Sequence, residues 1–422
     1  MLDIKFIREN KDLVAMAAKK KLIKFDVDEL IKADDKRREK LAAVEAKRAE
    51  QNAASEKIAK VETPQERLYM IEQMKAVKES LQKEEEELKE IMKEWQGLMV
   101  QVPNIPDVSV PEGEDDGANQ EIRVWGEIPK FKFQPKSHTE LMTALDMADF
   151  SRGTKVAGFR GYFLKNDGAR LAFALWQYVL DMYVEKGFTP MVVPSLVRRE
   201  PFMGTGYLPQ SEEDLYKTQD NDYLSGTGEV ATMGYFMDET LEKAQLPMKF
   251  ISFSPCFRRE AGSHGKDTQG LMRVHEFFKL EQVVLCEADH ATSVVFHEEL
   301  TQNAEQMLQN LGLPYHVVVN CGGDLGLGQV KKYDIETWVP SENKYRETHS
   351  SSYFHDFQTR RLNIRYRDAD GKLKFAHSLN NTALASPRIL IPLIENNQNE
   401  DGSIRIPEPL QRYMGGRETI FR

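Results

Sequence analysis

Two consecutive stretches of heptad-spaced apolar residues constrain this chain more than any other feature. Residues 27–61 carry no Gly and no Pro and are dense in Ala, Glu, Lys and Arg. Thr63-Pro64 breaks the run, and a second stretch follows from about Gln65 to Val100. There the 3,4-spaced positions Met70, Met74, Val77, Leu81, Leu88, Ile91, Trp95 and Leu98 are apolar, interrupted only at Glu84. In the first stretch the matching seam is Val27, Leu30, Leu41, Val44 and Ile58, with polar gaps at Asp34, Arg37, Arg48 and Gln51. Such spacing predicts two helices packed along one narrow seam, joined by a short turn as an antiparallel hairpin. At 1.5 Å rise per residue each helix is on the order of 50 Å long. A pair that buries one seam and exposes the rest is an arm rather than a core.

The arm displays Lys36, Arg37, Arg38, Lys40, Lys47, Arg48, Lys57 and Lys60. A solvated helix laced with ion pairs explains many such faces, and the acidic run Glu84 to Glu87 fits that description. A phosphate-binding surface explains them equally well, even though the whole chain has a formal charge of −10. Local charge decides contact with a nucleic acid, not the total. After the arm, the Pro-, Gly- and Asp-rich segment 104–120 reads as a linker. This divides the chain into an N-terminal domain over 1–103 and a second domain over 121–422.

With 422 residues, 41% hydrophobic and 29% charged, the chain has ample length for a core and the composition of a soluble protein. No apolar run approaches the ~20 residues of a membrane span, and the N-terminus alternates charged and apolar residues, so neither membrane anchor nor secretory signal is expected. Cys256, Cys286 and Cys321 lack metal-type spacing and are odd in number. That pattern predicts buried thiols in a reducing, cytoplasmic setting.

Beyond the linker, short alternating strands interleave with amphipathic helices, one of them GARLAFALWQYVLDMYVEKG, stopped by Gly187. The segments KFISFSPCFRRE and HEFFKLEQVVL alternate with period two and flank a Gly- and charge-rich loop. Period two predicts Arg258 and Glu260 on one face of the first strand, and Phe277, Lys279 and Glu281 on one face of the second. A guanidinium, carboxylates and a ring on one side of a sheet suit a ligand with phosphates, an amino group and a flat base. His264, Lys266 and Arg273 in the loop add donors for an anion. A solvated hairpin is the plain alternative. No GxxxxGK[ST] loop occurs, and GGDLGLG lacks dinucleotide-fingerprint spacing and reads as turn structure.

These blocks carry a resemblance. Residues 257–281, with Arg258-x-Glu260, Asp267-Thr268, GLMR and His275-x-Phe277-x-Lys279-x-Glu281, resemble motif 2 of the class II aminoacyl-tRNA synthetases in its seryl-tRNA synthetase form. Residues 187–197, with Pro194, resemble motif 1, and residues 377–396, with Arg388, resemble motif 3. GDLGLGQVKKYDIETWVP and YRETHSSSYFHDFQTRRLNIRYR also read as this family, and the likeness begins at MLDIKFIREN. It implies an α+β fold: an antiparallel catalytic sheet flanked by helices, preceded by the coiled-coil arm. It implies ATP-dependent conversion of L-serine to seryl-adenylate, transfer of serine to tRNA(Ser) and also to a selenocysteine-type tRNA where one exists, and a homodimer built through motif 1. In this family the arm grips the tRNA.

The chemistry needs no covalent enzyme intermediate. The serine carboxylate attacks the α-phosphorus in line, pyrophosphate leaves, and the protein must hold two anions together. Arg258 has the fork geometry to bridge both. The resemblance implies Arg388 at the γ-phosphate and stacked on adenine opposite Phe277, and Glu347 and Ser350 as Mg²⁺ ligands. It places Arg259, Glu260, Arg273, Thr348 and His349 along the ATP, with the backbone of Val274, His275, Glu276 and Phe277 against the adenine. It places Thr227, Gly228, Glu229, Glu281, Asn380 and Thr382, with Arg258, around serine. TGE stands where TAE is common, Glu276 where Gln is usual, and His349 where Ser is usual; none of these removes a charged catalytic group.

Two other readings belong beside this one. A synthetase-derived adaptor would lack Arg258, Glu347 or Arg388, all of which are present. A paralogue that loads a carrier other than tRNA would have a truncated arm, whereas this arm is complete.

Overall fold

The computed structural model describes residues 1–262, 265 and 267–422. His264 and Lys266, two of the expected anion donors, lie outside the described residues. The chain divides into two compact units, one of Leu2–Lys19 and Ile23–Pro103, the other of Met1, Lys20–Leu22 and Asn104–Arg422.

The first unit holds helices α1 (Ile4–Glu9), α2 (Lys11–Lys20), α3 (Val27–Lys60) and α4 (Pro64–Met99). Asp26 caps α3 by accepting from the backbone N–H groups of Asp28 and Glu29, and Pro64 opens α4 where its missing N–H costs nothing. Along α4 the residues withdrawn from solvent include Met70, Met74, Val77, Leu81, Glu84, Leu88, Ile91, Trp95 and Leu98, the seam expected from the spacing. Glu84 is accommodated there because Lys40 donates to it at 2.7 Å and Lys47 at 3.1 Å. Arg37 bonds Asp34 at 2.7 Å and lies 4.5 Å from the Trp95 ring centroid.

One position departs from the expected seam. Arg48 is solvent-facing and paired with Glu85 at 2.6 Å, while Lys47 turns inward. Between Val44 and Ile58 the expected seam has no apolar marker, so its phase there is set by the charges on the opposite helix. The run Glu84 to Glu87 is therefore not merely solvated: Glu84, Glu85 and Glu87 hold the two helices in register.

The second unit is built on an eight-stranded sheet. Its strands are β1 (Gln120–Trp125), β2 (Thr189–Val192), β3 (Met248–Phe257), β4 (Glu276–Cys286), β5 (Tyr315–Val319), β6 (Lys331–Val339), β7 (Lys344–His355) and β8 (His377–Ser386). The spatial order is β1-β5-β6-β7-β8-β4-β3-β2. All neighbours are antiparallel except the edge pair β2–β3, which is parallel. One face of the sheet packs on α6 (Asn166–Glu185), α8 (His290–Asn310) and α10 (Leu390–Asn396), with α5 (His138–Ala144) beside α10. Ile251, Leu280, Val284, Leu300 and Leu390 belong to this main core. On the other face Met233 of α7 (Gly228–Gly234) and Leu362 of α9 (Phe357–Leu362) cover Phe250, Val283 and Leu285. Ser252, Ser254, Lys279, Glu281, Asn380 and Thr382 make the adjoining part of that second face largely polar.

Residues 104–120 differ from a free linker. Asn104 donates to the carbonyls of Gly328 and Phe354, Asp107 accepts from Tyr353, and Gly323 N–H reaches Gly113. The segment satisfies its backbone against the unit that it enters, which composition alone does not reveal. Cys256, Cys286 and Cys321 are all buried and free.

Candidate active site

Strands β3 and β4 pair in continuous register, Phe277 opposite Cys256, Lys279 opposite Ser254 and Glu281 opposite Ser252. Alternation sets these six side chains on the polar face and Phe253, Phe278 and Leu280 on the core face. Arg258 and Glu260 do not share that strand face as expected. β3 stops at Phe257, and Glu260 has a left-handed backbone, φ 54°. The Gly-rich loop begins one turn earlier than alternation suggests. Arg258 nevertheless returns to the face, bonding the Gly226 carbonyl at 3.3 Å with its guanidinium 5.5 Å from the Phe277 ring centroid. Glu260 accepts from Arg273 at 3.0 Å; burial opposes its ionisation, but Arg273 and Arg258 hold the carboxyl below its ordinary value. Asp267 ties Arg273 at 3.0 Å to Arg346 at 2.6 Å, bracing the loop.

On this face lies a cluster of buried polar side chains. Thr227 caps α7 by accepting from Glu229 N–H at 3.3 Å, so the short TGE turn aims its side chains at β4. Thr227 Oγ1 also accepts from Lys279 at 2.7 Å and donates to Glu281 at 3.2 Å, and Lys279 and Glu281 form an ion pair. A Cβ on Gly228 would stand 3.3 Å from the Ser252 carbonyl, so the turn lies tight on β3. Glu229 accepts from Gln358 at 2.6 Å on one oxygen and from Tyr207 at 3.3 Å on the other. Burial pushes its carboxyl up to about 7, opposed by hydrogen bonds from Gln358 and Asn380 and the charge of Lys279. Thr382 lies directly across from Glu281.

Arg388 and Glu347 form a second group. Arg388 Nε donates to the Met272 carbonyl at 3.1 Å, and its Nη1 is 3.7 Å from the Glu347 carboxylate. Glu347 and Ser350 are three residues apart and would point to opposite faces of a regular strand. The β6–β7 register shifts between Ile335 and Glu336, leaving Thr348 as an extra residue, and this bulge returns both to the polar face. Asp334 stands opposite Ser350, bonded to Lys332 at 3.2 Å and Asn320 at 2.6 Å, while its buried Oδ1 has no hydrogen-bond partner. Two hard oxygen ligands with further carboxylate charge behind them fit Mg²⁺, which keeps waters and takes its remaining ligands from phosphates. Among the described residues no His, Cys, Asp or Glu group of three or more forms a complete metal cage.

The side chains of several expected ATP residues point away from these two groups. The same bulge turns His349 into the core, 1% exposed, with Nδ1 2.9 Å from the Thr348 hydroxyl; burial drops its imidazole to about 4. Thr348 is buried and bonded to Thr337 at 2.7 Å. Arg259 is exposed, and Glu276 lines a cavity of about 670 Å³ on the opposite side of the sheet with Phe159, Tyr162, Trp176 and Phe278. Val274 is buried beside the loop, and His275 Nδ1 meets the Arg258 carbonyl at 3.0 Å. The structure thus brings together Thr227, Glu229, Arg258, Glu281, Asn380 and Thr382, and in a second cluster Glu260, Arg273, Glu347, Ser350 and Arg388. Sequence reasoning missed Tyr207 and Gln358, for which no local pattern exists. It gave Lys279 no role, although period two already placed that residue on the face.

Comparison with known proteins bears on this arrangement. Residues 1–106 match the family described as seryl-tRNA synthetase N-terminal domain, and residues 213–397 match the tRNA synthetase class II core domain (G, H, P, S and T). The chain is 47% identical over 421 residues to a serine–tRNA ligase of Deinococcus radiodurans, covering 100% of this chain and 99% of that one. It is 42% identical to the serine–tRNA ligase of Thermodesulfovibrio yellowstonii, covering 98% and 99%. Among solved structures, seryl-tRNA synthetase from Pyrococcus horikoshii complexed with ATP superposes with a TM-score of 0.89 at 38% identity, covering 100% of this chain and 99% of that one. The cytoplasmic serine–tRNA ligase of Naegleria fowleri in complex with AMP gives 0.86 at 31%, covering 100% and 98%.

Proposed function

The chain belongs to the seryl-tRNA synthetase family and is an ATP-dependent serine–tRNA ligase, and on that premise we propose which of its residues do the work. Serine binds in the pocket of Thr227, Glu229, Glu281, Asn380 and Thr382, its ammonium and hydroxyl taken by the buried carboxylates. Its carboxylate meets Arg258, which also holds the α-phosphate. A carboxylate oxygen attacks the α-phosphorus, the bond to the bridging oxygen breaks, and pyrophosphate leaves. In the second step a terminal ribose hydroxyl of tRNA attacks the seryl carbonyl and AMP departs. Arg388 clamps the triphosphate and Phe277 gives the adenine a stacking surface. Glu347 and Ser350 would hold Mg²⁺, which neutralises phosphate charge. One observation supports this reading: a buried cluster of polar side chains around Thr227 and Glu281 shares a sheet face with Arg258, while Arg388 pairs with Glu347.

Residues 1–103 form the tRNA-binding arm domain and 121–422 the catalytic domain, with tRNA(Ser), and a selenocysteine-type tRNA where present, as partners. A homodimer is supported by exposed apolar surface at and near motif 1, where Phe173 on α6, Val192 on the sheet edge and Leu196 shortly after it face solvent. Among the described residues no helix is long and apolar enough to cross a membrane; a cytoplasmic setting accords with the free thiols. Serine-dependent ATP–pyrophosphate exchange by Arg258→Ala tests the assignment. A rate drop of about 100-fold or more is expected from removing a fixed charge donor, and near-normal exchange would refute it.

A further inference from the structure

A buried histidine outside the family motifs joins the two ATP-side elements. His138 opens α5, whose N-cap Ser137 and Glu140 form a reciprocal capping box. Its Nδ1 is 3.0 Å from Oε1 of Glu395, the same oxygen that accepts its backbone N–H at 2.8 Å. Glu395 lies on α10 and is fully buried, and its other oxygen accepts from Ser341 N–H at 3.0 Å. On the far side of the ring, Nε2 faces Leu271 N–H at 3.3 Å. A backbone N–H can only donate, so Nε2 must be the acceptor and Nδ1 must carry the proton given to Glu395. Gly270 has φ 83°, and a Cβ there would stand 2.4 Å from Nε2, so the loop meets the ring at a point only glycine fits.

The next residue along the loop is Met272, whose carbonyl accepts from Arg388 at 3.1 Å. Motif 3 therefore grips residues 270–272 twice: directly from Arg388 before α10, and from Glu395 near its end through His138. We infer that His138 is a positioning residue for ATP, fixing through Leu271 N–H the turn whose Met272 carbonyl orients Arg388. The inference rests on the reading of Arg388 as an ATP ligand.

The two ring contacts can be separated by substitution in the full-length enzyme. His138→Asn puts its amide where Nδ1 stands and keeps the bond to Glu395; His138→Gln puts its carbonyl near Nε2 and keeps the acceptor for Leu271. In ATP–pyrophosphate exchange, His138→Asn should raise KM for ATP about tenfold or more with KM for serine within about twofold, since a small misplacement of a clamp is costly. His138→Gln should recover most of the ATP KM although its lost bond to Glu395 lowers Tm. Equal ATP defects in both variants, or an unmoved ATP KM in His138→Asn, overturn the inference. Arg388→Ala run alongside separates the two readings. If it leaves ATP KM unchanged the role of Arg388 falls; if it is defective while His138→Asn is normal, only the role of His138 falls. Should either histidine variant fail to fold, Gly270→Ala probes the same contact, and an ATP KM unmoved by it overturns the inference.

Discussion

Gln358 donates its side-chain amide to Glu229 at 2.6 Å inside the buried polar cluster, and Ser378 in turn donates to Gln358 at 2.7 Å. A carboxylate so held, raised by burial to about 7, is half-protonated in neutral solution. With serine seated as proposed, a proton on Glu229 would compete with its ammonium. The kcat/KM for serine should therefore fall with a one-proton slope as pH drops below about 7, and Glu229→Gln should lose both that slope and most of its serine affinity. The same shift makes a stability statement. The unfolded chain ionises this group from about 4.5 while the folded chain retains the proton to about 7. Its contribution is thus complete below 4.5 and lost as pH rises to 7. Thermal melts of Glu229→Gln should be flatter over that window, and an unchanged pH profile would show that Glu229 is not the titrating group.

Glu347 is half-exposed, and burial of its environment is outweighed by Arg388, Lys332 and Arg258, which keep its carboxyl below the ordinary value. Glu347→Gln should raise the Mg²⁺ concentration for half-maximal exchange by about tenfold, the scale of losing one metal ligand or its support. Ser350→Ala should move it in the same direction by less. A magnesium titration that does not shift in either variant would remove both from the metal site.

On the arm, Lys40, Lys47 and Arg48 are engaged by Glu84, Glu85 and Glu87, whereas Lys36, Arg38, Lys57 and Lys60 are exposed. Replacing the latter four by Ala should reduce the salt dependence of tRNA binding by a slope of about 2 to 4, near 0.7 to 0.9 for each lost phosphate contact. Exchange activity should stay intact, because none of the residues proposed for the adenylate site lies on the arm. Replacing Lys40 should instead lower the arm's thermal stability. An unaltered salt slope in the fourfold variant would mark this face as solvated surface.

Val192 is 82% exposed on edge strand β2, and Phe173 is 66% exposed on α6. Val192→Asp combined with Phe173→Asp should convert a dimer to monomer in sedimentation velocity at micromolar concentration, because a buried unpaired charge costs several kcal/mol. A dimer that persists in the double variant would place the twofold interface elsewhere.

What the chain by itself determined is local and periodic. Spacing of 3 and 4 named the apolar residues along the partly buried seam of α4, but not the inward role of Glu84 between them. Period two put Phe277, Lys279 and Glu281 on one face of β4. These readings held because helix and strand geometry convert sequence distance directly into direction. They failed where geometry is set by a distant neighbour. The bulge at Thr348, which brings Glu347 and Ser350 to one face and buries His349, exists only through the pairing of β7 with β6. The phase of the α3 seam at Lys47 rather than Arg48 depends on where Glu84 and Glu85 lie across the arm. Gln358 meets Glu229 across 129 residues of chain, and His138 meets Glu395 across 257. A buried hydrogen-bond partner at such separations is selected by how strands and helices stack, which no window of sequence contains.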